Sequence, residues 1–296
     1  MPDITNLTGV SKPLTKFVEV VARGIGNLYL PTGTVRQAKA EATAQLIRAG
    51  ADIAERDLLA RAAARLGHVE SMRQINIENV VKIAHEQLPP EVNSESVNQD
   101  WIHNFFSSVQ DVSDSDLQVI WAKILAGEVA KPGSYSRRTI EFMKTIDSNE
   151  ARMLEALLSV TFRYQNGWPF VFTINATREA VGRKIGEAID WERHFVDIGV
   201  LSASESMPRA STFTGQQFSF GKAALIADGP PPTPPSAGGR PQMIEMWTTV
   251  RNFTSLGQQL ATVATVDVEP GVVATINDEL KQLKVLLRSK NPEEGK

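Results

Sequence analysis

Between Ser113 and Met143 the chain leaves itself little choice of structure. Ser113 is followed three residues later by Asp116, a capping-box arrangement, and Leu117, Ile120, Trp121, Ile124, Leu125 and Val129 then recur at helical spacing. Pro132 and Gly133 form a turn, and Ser136 is placed to cap a second helix through Phe142 and Met143. The pattern predicts two helices joined by a short turn, a tight helical hairpin.

Helical spacing also marks the N-terminal third. From Leu14 the residues Phe17, Val18, Val21, Ala22, Ile25, Leu28 and Tyr29 line one face, with Lys16, Glu19 and Arg23 off it. Pro31 and Gly33 break this element, and an alanine-rich stretch from about Thr34 to Leu66 predicts a helix roughly 50 Å long at about 1.5 Å per residue. The pairs Asp52/Arg56 and Asp57/Arg61 set acid before base one turn later. So long a helix is expected to pack along another long helix or a second subunit. Gly67 should end it, Ile75 to Leu88 should form the next helix, stopped by Pro89 and Pro90, and Trp101 to Val109 a short aromatic one.

The last third changes character. A helix near Ser148 to Tyr164 leads to a strand at Phe170 to Ile174, and Thr177 to Ile198 reads as helix despite Gly182 and Gly186, each costing about 1 kcal/mol against alanine. Phe218 to Ile226 and Met243 to Val250 read as strands, joined by a flexible proline- and glycine-rich loop over 228–241. Val272 to Leu287 is the last predicted helix, before a frayed polar tail. The expected fold is mainly α: long helices over 1–90, a helical hairpin over 91–147, and a small α+β, winged-helix-like domain over 148–290.

Composition narrows the chemistry. With no cysteine there is no disulfide framework, thiolate metal site or cysteine nucleophile. Met1 to Val10 lacks a basic patch followed by an apolar run, and about 18 uninterrupted apolar residues occur nowhere, so a cytoplasmic location is expected. A net charge of -3 argues against indiscriminate nucleic-acid binding. That charge is unevenly spread: residues 1–48 carry +3 and residues 88–130 carry -6, a pairing suited to docking within the chain or between subunits.

The run Asp111 to Thr139, with Trp121-Ala122-Lys123-Ile124-Leu125-Ala126-Gly127-Glu128-Val129 followed by Pro132-Gly133-Ser134-Tyr135-Ser136 and Arg138-Thr139, resembles a bacterial family catalogued only as a domain of unknown function. More distantly it is similar to the abortive infection alpha proteins of anti-phage defence, which share a helix of this kind. The family resemblance extends over most of the chain, including the alanine-rich helix and Phe253-Thr254-Ser255-Leu256-Gly257-Gln258-Gln259-Leu260, where Phe253 stands in place of a leucine. It implies a fold and a setting in defence, and no mechanism.

Candidate sites are few. A binding surface on the polar side of the hairpin would use Lys123, Glu128, Ser134 and Arg138. His68, His85, His103 and His194 are scattered, and His85-Glu86-Gln87-Leu88-Pro89 fails the zinc-protease pattern, so no metal and no cofactor is expected. Gly24-Ile25-Gly26 lies inside an amphipathic helix, not after a strand, and is no dinucleotide fingerprint. The acids of Asp111 to Asp116 suit a helix N-terminus. Phe17, Val21, Ile25 and Tyr29 form the face that would meet a membrane surface or a partner helix. In the C-terminal domain the helix that would enter a DNA groove balances Arg178, Arg183, Lys184 and Arg193 against Glu179, Glu187, Asp190 and Glu192, a neutral element poorly suited to phosphate.

The expectation is a non-enzymatic interaction or regulatory protein, a homo-oligomer or bound to a protein partner, with a setting in anti-phage defence. A winged-helix DNA-binding regulator and an effector acting at the membrane surface are the alternatives.

Overall fold

The computed structural model describes residues 11–25, 53–186, 190–206, 215–228, 249–263, 271–282 and 286–289. Tyr29, the first part of the alanine-rich stretch, all but the first residue of the loop expected over 228–241, residues 243–248 of the strand expected over Met243 to Val250, and the polar tail from residue 290 lie outside them. The chain divides into two compact units, Met1–Ile146 and Asp147–Lys296. Among the described residues no helix is long and apolar enough to cross a membrane.

The first unit is helical: α1 (Lys12–Ile25), α2 (Ile53–Glu86), α3 (Gln99–Val109), α4 (Ser115–Ala130) and α5 (Arg137–Met143). Gly67 does not end the long helix, because one glycine costs only about 1 kcal/mol and the flanking residues are strong helix formers; α2 runs unbroken for 34 residues. Asp57 and Arg61 pair at 2.6 Å along it. The cap of α4 is Asp114, not Ser113: its carboxylate accepts the backbone N–H groups of Asp116 and Leu117. Asn98 and Ser136 cap α3 and α5 through their side chains.

The expected tight hairpin does not form. α4 packs chiefly on α2 and α1, while α5 turns away to pack on α3. The reason is burial: α4 is apolar on nearly all sides, so Leu117, Ile120, Trp121, Ile124, Leu125 and Val129 need several neighbours, whereas α5 has seven residues and offers only Thr139, Ile140 and Met143. Gly24, dismissed as a nucleotide motif, has a packing role. A Cβ there would sit 2.0 Å from the Phe106 ring, so the glycine lets α1 approach α3.

The second unit is α+β. It contains α6 (Ser148–Leu158), β1 (Phe162–Tyr164), β2 (Pro169–Phe172), α7 (Asn175–Ile185), α8 (Trp191–Asp197), β3 (Leu201–Ser206), β4 (Gln217–Phe220), β5 (Ala223–Asp228), β6 (Val250–Phe253), α9 (Ser255–Val263), α10 (Val272–Gln282) and β7 (Leu286–Ser289). The strands form one antiparallel sheet in the order β3-β6-β2-β1-β4-β5-β7. Its core face is aromatic: Phe162, Phe170, Phe172, Phe218 and Phe220 are buried, and the Phe162 and Phe220 rings lie 4.5 Å apart.

Several boundaries differ from expectation for local reasons. Gly186, at φ +91, stops α7 and separates it from α8. Gly221 and Lys222 turn the single strand expected at Phe218 to Ile226 into a hairpin in which Phe220 opposes Ala223. The helix expected to reach Leu287 ends earlier, and Asn277 grips the extended backbone of Leu287 with one donated and one accepted hydrogen bond, each 2.9 Å. Helix α7 has no cap from its own segment; Glu279 of α10 accepts the backbone N–H groups of Asn175 and Ala176 instead.

The start of α9 is a point of close backbone approach. Thr254 donates its hydroxyl to the Gly199 carbonyl at 2.6 Å and accepts the N–H of Gly257. A Cβ on Gly257 would fall 2.1 Å from the Val200 carbonyl oxygen. Because that neighbour is backbone, Gly257→Ala is expected to destabilise the second unit by about 1–3 kcal/mol. A chemical-denaturation curve matching wild type would show that α9 does not sit this close.

Candidate functional site

The turn between α4 and α5 is built around one carboxylate. Glu128, in the last turn of α4, is 1 % exposed. Its Oε1 accepts the backbone N–H of Gly133 at 2.7 Å and its Oε2 that of Tyr135 at 2.9 Å, with the N–H of Ser134 also directed at the carboxylate. Gly133 adopts φ +83, which a glycine tolerates and which lets the chain bend back toward Glu128. Tyr135 then lies against Gly127, where a Cβ would come within 2.8 Å of its hydroxyl oxygen. Burial pushes the Glu128 carboxyl above the ordinary glutamate range, while the three N–H groups and Lys16 pull it down.

Lys16 of α1 reaches the same place. Its Nζ donates to the Asn93 carbonyl at 2.7 Å, and it interacts with Glu95 and Glu128 while burial lowers its pKa. Lys16 of the basic N-terminal segment thus meets Glu95 and Glu128 of the acidic middle segment inside one unit. Arg73 repeats the theme, donating through two nitrogens to Asp111 at 2.7 and 3.2 Å. The acids of Asp111 to Asp116 therefore serve an ion pair and a helix cap.

An open pocket of about 520 Å³ lies beside this turn, lined by Glu95, Ser96, Asn98, Trp101, Glu128, Pro132, Gly133, Tyr135 and Arg137. Much of its polar equipment is committed to structure. Glu128 holds the turn, Asn98 accepts the backbone N–H of Trp101 at 3.1 Å, and Arg137 pairs with Asp100 at 2.5 Å. The buried Trp101 indole N–H has no hydrogen-bond partner among the described residues. No group of three or more His, Asp or Glu side chains able to hold a metal ion occurs among those residues.

Of the four residues expected to form a surface, Glu128 is buried. Glu128 and Ser134 share the turn, where Ser134 Oγ donates to the Lys131 carbonyl at 2.6 Å. Lys123 is half-buried on α4, and Arg138 is exposed at the start of α5. Of the four only Glu128 lines the pocket, and the arginine there is Arg137. On α1, Phe17 and Val21 are buried and Ile25 is half-buried, so the stripe is used for packing within the unit. Phe17 lies with its ring centroid 6.1 Å from that of His85.

A second surface was not singled out from the sequence. Leu58, Leu59, Leu66, Val69, Met72 and Ile75 of α2 are all exposed, Leu66 by 56 %. From Asn76 onward the same helix is buried through Ile77, Val80, Val81 and Ala84. The signal was present in the three-and-four recurrence of Leu59, Ala62, Leu66 and Val69. Reading Gly67 as a stop cut that series in two.

Residues 60–183 match the model of a family described as a protein of unknown function, DUF2806. The match begins inside α2, contains Asp111 to Thr139, and ends inside α7, short of Phe253 to Leu260. No curated protein and no solved structure matches the chain.

Proposed function

We propose that this protein is a non-enzymatic, cytoplasmic interaction component that engages a protein partner through the exposed apolar face of α2. One observation carries this reading: six large apolar side chains on one helix, Leu58 to Ile75, are exposed, and three of them, Leu59, Leu66 and Val69, recur at helical spacing along one side of it. The pocket at Glu128 favours no chemistry over it, since its buried carboxylate is taken up by the turn and its arginine is ion-paired with Asp100. The similarity to abortive infection alpha proteins suggests anti-phage defence as the setting.

A winged-helix module in the second unit belongs to the same reading. Its support is connectivity: α6, β2, α7, α8, β3 and β6 follow in that order, with β6 between β3 and β2 in the sheet. We read this module as a protein contact and not a DNA reader. The element in the recognition position, α8, carries Glu192 and Asp197, and its Arg193 lies 3.6 Å from Asp197. The membrane-surface alternative loses its support with the burial of Phe17 and Val21.

The test is affinity capture from the native host with wild type and a Leu59→Glu/Leu66→Glu variant, each checked for wild-type helicity. The wild type should retain a partner, its own copy or another protein, that the variant loses. Equal recovery of every bound protein by both would end the reading.

A further inference from the structure

We infer that the partner on α2 is a second copy of this chain, lying antiparallel along the exposed half of the helix; this rests on the interaction reading above. The argument starts from spacing. Leu59, Ala62, Leu66, Val69, Arg73, Asn76 and Val80 recur at alternating intervals of three and four, the period at which two helices stay in contact along a seam. The seam is continuous with one that is already filled. From Asn76 it packs on α4, whose Gln118 side chain donates to Asn76 at 3.3 Å, and toward the N-terminus it runs on in solvent through Val69, Leu66 and Leu59.

The open half is self-complementary in volume. With the helices antiparallel and centred near Ala64, Leu59 faces Val69 of the copy and Ala62 faces its Leu66, so each large side chain meets a smaller one. A parallel pair would set Ala62 against Ala62 and Arg73 against Arg73, leaving a gap in one layer and like charges in another. Sterics point the same way. In each copy α4 covers the seam from Asn76 onward, so parallel helices would bring two α4 helices into the same space. Antiparallel helices carry them to opposite ends.

The absence of cysteine makes the register directly readable. In an equimolar mixture of full-length Leu59→Cys and Val69→Cys proteins, mild oxidation with diamide should join one variant to the other. A parallel pair would hold these positions about 15 Å apart along the axis, beyond the roughly 7 Å between Cα atoms that a disulfide spans. Light scattering of the wild type should give twice the 32.4 kDa chain mass, falling to the single-chain mass in Leu66→Glu.

A wild-type dimer with no cross-link between the two variants would overturn the antiparallel register. A wild-type monomer would overturn the pairing. If that monomer still captures another protein that Leu59→Glu/Leu66→Glu loses, the broader interaction reading stands without it. If Leu66→Glu instead lowers the melting temperature of a monomer, the chain covers its own helix and both readings fall.

Discussion

Glu128→Ala is expected to destabilise the first unit by about 3 kcal/mol. The substitution removes the acceptor for the Gly133 and Tyr135 N–H groups. Gly133 is exposed, so water can replace the carboxylate there, but Tyr135 is 5 % exposed and its N–H would be left dry. Lys16, half-buried beside Glu95 and Glu128, would also lose part of its counter-charge. Urea unfolding, with hydrogen exchange to assign the transition to residues 113–143, measures the loss. Wild-type protection in Glu128→Ala would mean that the turn does not depend on its carboxylate.

The same residue sets a pH dependence whose sign follows from its environment. The folded state raises the Glu128 pKa above the ordinary value of about 4.3, chiefly through burial. A carboxyl that holds its proton more tightly when folded contributes most below its unfolded pKa, and that contribution declines as pH rises through the folded pKa. The stability lost in Glu128→Gln should therefore shrink as pH rises from about 4 into the range just above the ordinary glutamate value. A loss that grows with pH over that interval would show that the three N–H groups and Lys16 outweigh burial.

What the sequence made legible depended on whether the deciding interaction was local. Ser136 capping α5, the helix carrying Trp121 and the turn at Pro132 and Gly133 rest on residues within a few positions of one another, and all are present. The cap at Asp114 rather than Ser113 is a one-residue error within that local regime. The hairpin failed because choosing a helix's neighbour is a global decision, made by which apolar faces find each other. Glycine misled in both directions: Gly67 is carried inside a helix that strong formers sustain, while Gly186 takes a positive φ and breaks one. Two controls lie far off in sequence and left no local trace. Glu279 caps α7 from about a hundred residues away, and Lys16 reaches the Glu128 turn from α1. Glu128 was noticed as a polar residue in a signature, but its partners are backbone groups, which no side-chain pattern encodes.

Trp121→Ala should be the most damaging single substitution in the first unit, costing about 3–5 kcal/mol. Trp121 is fully buried, and its ring meets Phe105 edge-on with centroids 5.3 Å apart. Phe105 in turn stacks on Trp101 at 5.2 Å. Truncation would leave a cavity against the Phe105 ring between α3 and α4, with neither helix free to collapse into it, because α4 is held by α1 and α2 on its other sides. The informative comparison is Trp121→Phe. The Trp121 indole N–H has no hydrogen-bond partner among the described residues, so phenylalanine forfeits contact area and an edge of the cavity but no hydrogen bond. Its cost should stay near about 1–2 kcal/mol. Because the chain has two compact units, unfolding need not be two-state, and the shift should be read from hydrogen exchange in α3 and α4. If Trp121→Phe proved as costly as Trp121→Ala, the indole nitrogen would have to hold a bonded partner, and the packing account of this core would fail. A loss confined to about 1 kcal/mol for Trp121→Ala would mean instead that the helices close over the gap, and that the core is less rigid than its buried rings imply.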